Sequence, residues 1–108
     1  TGARPMVSDW LYFGTARPAG TVSADDWQDF LQSTVTPRFP NGFTVVNANG
    51  QWKTSGGPII REATYLLNVL HAGDERAESG IRDLMAAYKT RFQQEAVLRS
   101  RQQTCASF

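Results

Sequence analysis

The chain has 108 residues, 41% of them hydrophobic and 19% charged, with 11 basic against 10 acidic side chains and a formal net charge of +1. That is enough apolar material for one core and one domain, and too much for intrinsic disorder. The charge balance removes the electrostatic case for a dedicated nucleic-acid or membrane-surface binder, the single cysteine closes no internal disulfide, and no apolar run approaches the roughly 20 residues needed to span a bilayer.

Residues 1–9 are polar and carry Pro5, which predicts a flexible lead-in and leaves residues 10–108 as a single domain. A chain that opens on Thr1 rather than methionine is what an exported mature product or a truncated one would show. Residues 10–16 are short and aromatic-rich, so they predict a strand, broken by Arg17-Pro18-Ala19-Gly20. Ser23 ahead of Asp25 and Asp26 is a helix start, because a hydroxyl cap and early acids satisfy the free amides and the positive helix end. Trp27, Phe30, Leu31 and Val35 then lie on one helical face. Pro37 disfavours helical geometry at Thr36, so the predicted helix ends near residue 35.

After a turn at Pro40-Asn41-Gly42, residues 43–54 predict one long, irregular strand. Two places compete for the hairpin turn: Asn49-Gly50, and Ser55-Gly56-Gly57-Pro58, of which the second is preferred because Gln51-Trp52-Lys53 is too short a return. Residues 59–71 form the longest strand candidate. Gly73 and Asp74 open a second helix whose apolar line is Ala77, Ile81, Leu84, Tyr88 and Phe92. Residues 96–99 make the last strand, with 100–108 trailing from it or extending it.

The order β-α-β-β-α-β predicts an α+β, ferredoxin-like plait: a four-stranded antiparallel sheet with two helices on one face. Alternation then assigns Ala63, Tyr65, Leu67, Val69 and His71 to the helices. Trp10, Tyr12, Glu62, Thr64, Leu66, Asn68 and Leu70 fall on the open face. So apolar a surface marks either a homodimer interface or a ligand cleft.

Several residues carry candidate chemistry. His71, the only histidine, has no partners at metal-ligand spacing, and Cys105 has no local base to activate it, so both are structural and no metal or other cofactor is expected. Gly56-Gly57 lacks the residues of a phosphate-binding loop. Glu62 and Glu95 either pair with Arg38, Arg61 and Arg91 or belong to a site. In the sharper alternative, Tyr12, Glu62 and Asn68 act as acid, base and orienter in a cofactor-independent enzyme, with Arg38 or Arg91 holding a small anionic ligand. An RNA-recognition module shares the element order, but its third strand needs a basic residue, glycine and spaced aromatics; here that strand reads Arg61-Glu62-Ala63-Thr64-Tyr65-Leu66, which excludes it.

Leu11-Tyr12-Phe13-Gly14, Thr36-Pro37-Arg38-Phe39-Pro40-Asn41-Gly42, Gly50-Gln51-Trp52, Arg61-Glu62, Ala87-Tyr88-Lys89, Arg91-Phe92 and Gln94-Glu95-Ala96-Val97-Leu98-Arg99 together resemble a bacterial family of small uncharacterised proteins, a domain-of-unknown-function family. The likeness runs over residues 10–108. It implies an export or lipoprotein signal in many members, hence a periplasmic or envelope location, and brings no established activity. It also implies that Tyr12, Arg38, Trp52, Glu62, Arg91 and Glu95 belong to the family pattern, as a shared ligand site or ion-pair framework. The expectation is an exported binding or interaction module, homodimeric through or around the open sheet face.

Overall fold

The structure, a computed structural model, describes residues 2–108; Thr1, the first residue of the expected lead-in, lies outside the described residues. In chain order the elements are β1 (Arg4–Gly14), β2 (Ala16–Arg17), β3 (Gly20–Thr21), α1 (Ala24–Phe30), a π-helical stretch (Leu31–Val35), α2 (Thr36–Arg38), β4 (Thr44–Lys53), β5 (Ile59–His71), α3 (Glu75–Phe92) and β6 (Leu98–Ala106). The main sheet has the order β4-β5-β1-β6 and is antiparallel throughout. The α1–α2 run and α3 cover one face, which makes the molecule an α+β, ferredoxin-like plait. A two-stranded ribbon, β2 with β3, is an addition that the sequence did not reveal.

The register places Leu11 opposite Leu67 and Phe13 opposite Tyr65. Leu11, Phe13, Leu67 and Val69 are buried against Trp27, Phe30 and Val35 of the first helical run and Ile81, Leu84, Tyr88 and Phe92 of α3. Tyr65 lies flat on Trp27, with ring centroids 4.4 Å apart and an interplanar angle of 3°. The opposite face carries Trp10, Tyr12, Leu66, Asn68 and Leu70, all half-buried, with Val46 and Leu98 exposed beside them.

Three expectations need correction. Residues 4–9 are not a lead-in but the first half of β1, pairing with β6 from Arg4 and with β5 from Val7. Val7 and Asp9 continue the inward alternation of Leu11 and Phe13, so the strand extends as far as there is core to cover. Pro5 is tolerated because it lies before the β5 pairing begins.

The first helical run also fails to stop at Val35. The chain widens into π geometry over Leu31–Val35, and the Thr36 N–H donates back to the Leu31 carbonyl. Pro37 then falls in the opening turn of α2, directly after the π-helical stretch. Finally, the last strand is β6 (Leu98–Ala106): it starts two residues later than expected, and of the two readings of 100–108 the strand extension holds as far as Ala106.

The hairpin between β4 and β5 turns at Thr54–Pro58, where Thr54 N–H donates to Pro58 O at 2.9 Å and Gly57 takes φ 104°. Asn49-Gly50 stays inside β4. A Cβ at Gly50 would stand 2.5 Å from Thr64 Oγ1 and 2.8 Å from Trp52 Nε1, so this glycine serves close approach rather than turning.

Candidate ligand-binding site

β1 ends at Gly14, opposite Thr64, while β5 and β4 remain paired out to Ile59 and Lys53. Residues 49–63 therefore form a two-stranded arm past the end of the central strand. Where β1 leaves the sheet, its next amides have lost their ladder partners, and Glu62 on the arm replaces them. Its Oε1 accepts from Thr15 N–H at 2.8 Å and Ala16 N–H at 2.6 Å, while Thr15 Oγ1 donates to Ala63 O at 2.6 Å. Beneath them the Tyr88 hydroxyl donates to Gly14 O at 2.6 Å. Burial holds that phenol well above its ordinary range, and the negative charge of Glu62 adds to the effect.

A Cβ at Gly14 would sit 2.5 Å from Glu62 Oε2. Gly14→Ala is accordingly expected to drive Glu62 off the two amides and to cost about 1–3 kcal/mol, the penalty for buried donors left unpaired. Chemical denaturation checks this; an unchanged midpoint would show that Glu62 relocates freely.

The facing wall comes from the connection between α3 and β6. Gln93 ends α3 in the left-handed region at φ 52°. Its Oε1 accepts from Arg17 Nε at 3.0 Å and Nη2 at 2.5 Å, and Arg17 also lies over the Phe92 ring. Gln94 Nε2 donates to Ala16 O at 2.8 Å. Glu95 Oε1 accepts from Ser55 Oγ at 2.5 Å, joining this connection to the hairpin tip. Between the two walls lies a cavity of about 720 Å³ whose lining includes Tyr12, Trp52, Ile60, Glu62, Glu95 and Leu98.

Of the residues singled out in the sequence, the cavity gathers Tyr12, Trp52, Glu62 and Glu95, from four separate parts of the chain. It does not gather Asn68, Arg38 or Arg91. Asn68 Nδ2 donates to Ser8 Oγ at 2.9 Å and Asp9 O at 3.2 Å, so the proposed Tyr12–Glu62–Asn68 constellation is not assembled. Asn68 and Arg38 instead line a second cavity of about 800 Å³. Arg38 donates to Thr34 O at 3.0 Å and lies 3.9 Å from Asp83, and Arg91 reaches Ser33 and stacks over Phe92. The two arginines meant to hold an anion are thus absent from the cavity that holds the carboxylates. Nor do Glu62 and Glu95 form the expected ion pairs; among the described residues neither has a cationic partner within 4.0 Å.

The ion-pair framework lies elsewhere and was missed. Asp9, fully buried, accepts from Arg99 Nε at 2.7 Å and Nη2 at 3.2 Å, and its Oδ2 is 2.6 Å from His71 Nε2. Gly73 N–H donates to His71 Nδ1 at 3.0 Å, which assigns the ring proton to Nε2, pointing at Asp9. Arg99 forks onto both oxygens of Glu78, at 2.9 and 2.8 Å. That bidentate bond holds the Glu78 carboxyl down, from an ordinary 4.5 to about 2. The available signal was alternation: a strand beginning at Arg4 puts Asp9 on the same face as Val7 and Leu11, where a carboxylate needs partners.

Among the described residues no group of three or more His, Cys, Asp and Glu is placed to hold a metal, and no helix is long and apolar enough to cross a membrane. The fold and cavity define a ferredoxin-like α+β domain with a polar-lipped pocket at the end of its central strand. Residues 8–108 match the family described as "Protein of unknown function (DUF3574)", and the chain belongs to that family. No match was found among curated protein sequences. Among solved structures, it is similar to a phage SAM lyase in complex with S-methyl-5'-thioadenosine, with a TM-score of 0.74 at 14% identity over 95% of this chain and 90% of that one. It is also similar to CutA from Synechococcus elongatus PCC7942, with a TM-score of 0.61 at 9% identity over 99% and 83% of the two chains. CutA1 from Oryza sativa gives 0.60 at 10% identity over 100% and 87%. At these identities the likeness is one of fold.

Proposed function

We propose that this protein is a small-molecule-binding module whose site is the cavity at the end of β1, with Tyr12, Trp52, Glu62 and Glu95 as its ligand-facing residues. The observation that carries this is the convergence of two aromatic rings and two carboxylates, distant in sequence, on one cavity of about 720 Å³. That volume is in the range of ordinary ligand pockets, roughly 300–1,000 Å³, and the mix of apolar wall and few polar groups is typical of them. The solved neighbour carrying S-methyl-5'-thioadenosine supports a ligand of nucleoside size. Binding is favoured over catalysis because the enzymatic alternative needs Asn68, whose amide is turned to Ser8 and Asp9.

The same proposal includes a homodimer through the open sheet face. Its support is the half-buried set Trp10, Tyr12, Leu66 and Leu70 with exposed Val46 and Leu98 alongside. Tyr12 and Leu98 belong to both the face and the cavity, so a second copy would complete the pocket wall. A periplasmic or envelope location, implied by the family resemblance, completes the proposal and is read by fractionating cells that make the full-length protein.

Titration calorimetry with S-methyl-5'-thioadenosine tests the site, with light scattering on the same sample for the assembly. Saturable binding is expected, weakened about tenfold or more by Trp52→Ala, the loss of one aromatic wall. A thermal-shift screen of nucleosides and related metabolites that yields no saturable ligand would overturn the binding role, and a strictly monomeric species would overturn the dimer.

A further inference from the structure

We infer that the second cavity, the one lined by Arg38 and Asn68, is a separate binding site for a phosphate monoester carried on a small aromatic molecule. It does not depend on the role proposed for the first cavity, and it gives Arg38 an anionic partner at a different place in the fold.

Three guanidinium groups line this cavity from three parts of the chain: Arg4 at the start of β1, Arg38 in α2 and Arg76 in the first turn of α3. Asp74 is the one acidic side chain on the lining, and its Oδ1 accepts from Ala77 N–H at 2.9 Å as the cap of α3. Asp83 lies 3.9 Å from Arg38, off the lining. His71 forms part of the wall, with Gly73 N–H on Nδ1 and Asp9 behind Nε2, and the charge of Asp9 is met by Arg99. Among the described residues no carboxylate comes within 4.0 Å of Arg4 or Arg76. Arg4 lies over the Phe108 ring, and Arg38 Nη1 donates to Thr34 O at 3.0 Å. The lining side chains thus set three positive charges against one negative, and counting Asp83 as well still leaves the excess positive.

Three separate guanidinium forks suit a phosphate monoester, which presents three terminal oxygens and nearly two negative charges at neutral pH; a planar carboxylate takes one fork and one charge. Phe39, buried, and Phe43 and Leu70, half-buried, supply an apolar wall against which a ring can lie. The volume of about 800 Å³ accepts a molecule of that size. The whole chain carries a formal net charge of only +1, so the positive potential is local to the cavity and favours a small anion over a long polyanion.

Phenyl phosphate, benzoate and phenol share a ring and differ in the charge and shape of the group it carries. Followed by the amide chemical shifts of the intact protein, phenyl phosphate is expected to saturate at millimolar concentration or below, with the largest changes at Gly42, Ala72 and Ala77 on the cavity lining. Benzoate should bind more weakly by about fivefold or more, and phenol should not saturate. Arg38→Gln and Arg76→Gln should each weaken phenyl phosphate by about threefold or more, while Arg101→Gln, at an exposed position of β6 off this lining, leaves it unchanged. Arg76 is exposed and makes no ion pair among the described residues, so its replacement leaves the melting temperature close to wild type and its effect reads binding alone. No saturation by phenyl phosphate, benzoate or phenol binding as tightly, shift changes centred on Trp52 and Glu62 of the first cavity, or either arginine variant binding like wild type would each overturn this site. The titration with S-methyl-5'-thioadenosine reports on the first cavity, so failure of one site and failure of the other are distinct results.

Discussion

Trp27→Ala is expected to destabilise the fold by about 3–5 kcal/mol, the usual range for deleting a large buried aromatic ring. Trp27 is 1% exposed and touches the core on several sides: flat on Tyr65, tilted to Phe13 at 5.2 Å, and stacked near Phe30 at 5.9 Å. Its removal opens a void between the first helical run and the sheet, where neither layer can follow without breaking the Phe13–Tyr88 contact at 4.7 Å. Trp27→Phe is a sharp comparison. The indole N–H is buried and has no acceptor among the described residues, so phenylalanine removes an unpaired donor along with part of the ring. Its cost should stay below about 2 kcal/mol. Denaturant unfolding of both variants reads the difference; similar losses would mean that the indole nitrogen has a partner after all.

The second large effect concerns Arg99, which alone links Asp9 on β1 to Glu78 on α3. Arg99→Met leaves a fully buried carboxylate with His71 as its remaining partner and is expected to cost about 3–5 kcal/mol. For a domain of this size that lowers the melting temperature by roughly 12 °C or more. Arg101→Met, on an exposed position of the same strand, serves as the control and should move it little.

The pH dependence gives a second signature. Glu78 titrates lower in the folded protein, about 2, than the ordinary 4.5. Its contribution is therefore complete above about pH 4.5 and disappears as the pH falls toward 2. In Arg99→Met the Arg99–Glu78 bond that depresses this carboxyl is gone, so stability should fall less steeply across that window. An acid limb of unchanged slope would show that another group sets it.

The layer architecture was legible because it depends on local periodicities. Tyr65, Leu67 and Val69 alternate, and Ile81, Leu84 and Tyr88 recur at helical spacing, and both patterns survive any choice of loop geometry. What escaped detection depends on contacts between distant segments. Glu62 was recognisable as a strand carboxylate, but its bonds to Thr15 and Ala16 span 47 and 46 residues and exist only because β5 outruns β1. Tyr12, Trp52, Glu62 and Glu95 could be named from the family pattern, yet nothing local distinguished them from Arg38 and Arg91, which the fold sends elsewhere. Pro37 misled for a related reason: its effect on the helix was absorbed by the π-helical stretch before it, a packing solution that propensity does not encode.

The arm of residues 49–63 lies beyond the reach of β1 and has a single neighbouring strand on its β5 side, β4 itself. Its amides are thus protected by one ladder, while those of the sheet centre are protected by two and by the overlying helices. Opening of the arm breaks that one ladder and need not loosen Leu11, Phe13 or Leu67, so local opening and global unfolding draw on different contacts. Sequence changes at the hairpin tip should therefore alter amide exchange along the arm far more than the thermal endurance of the domain.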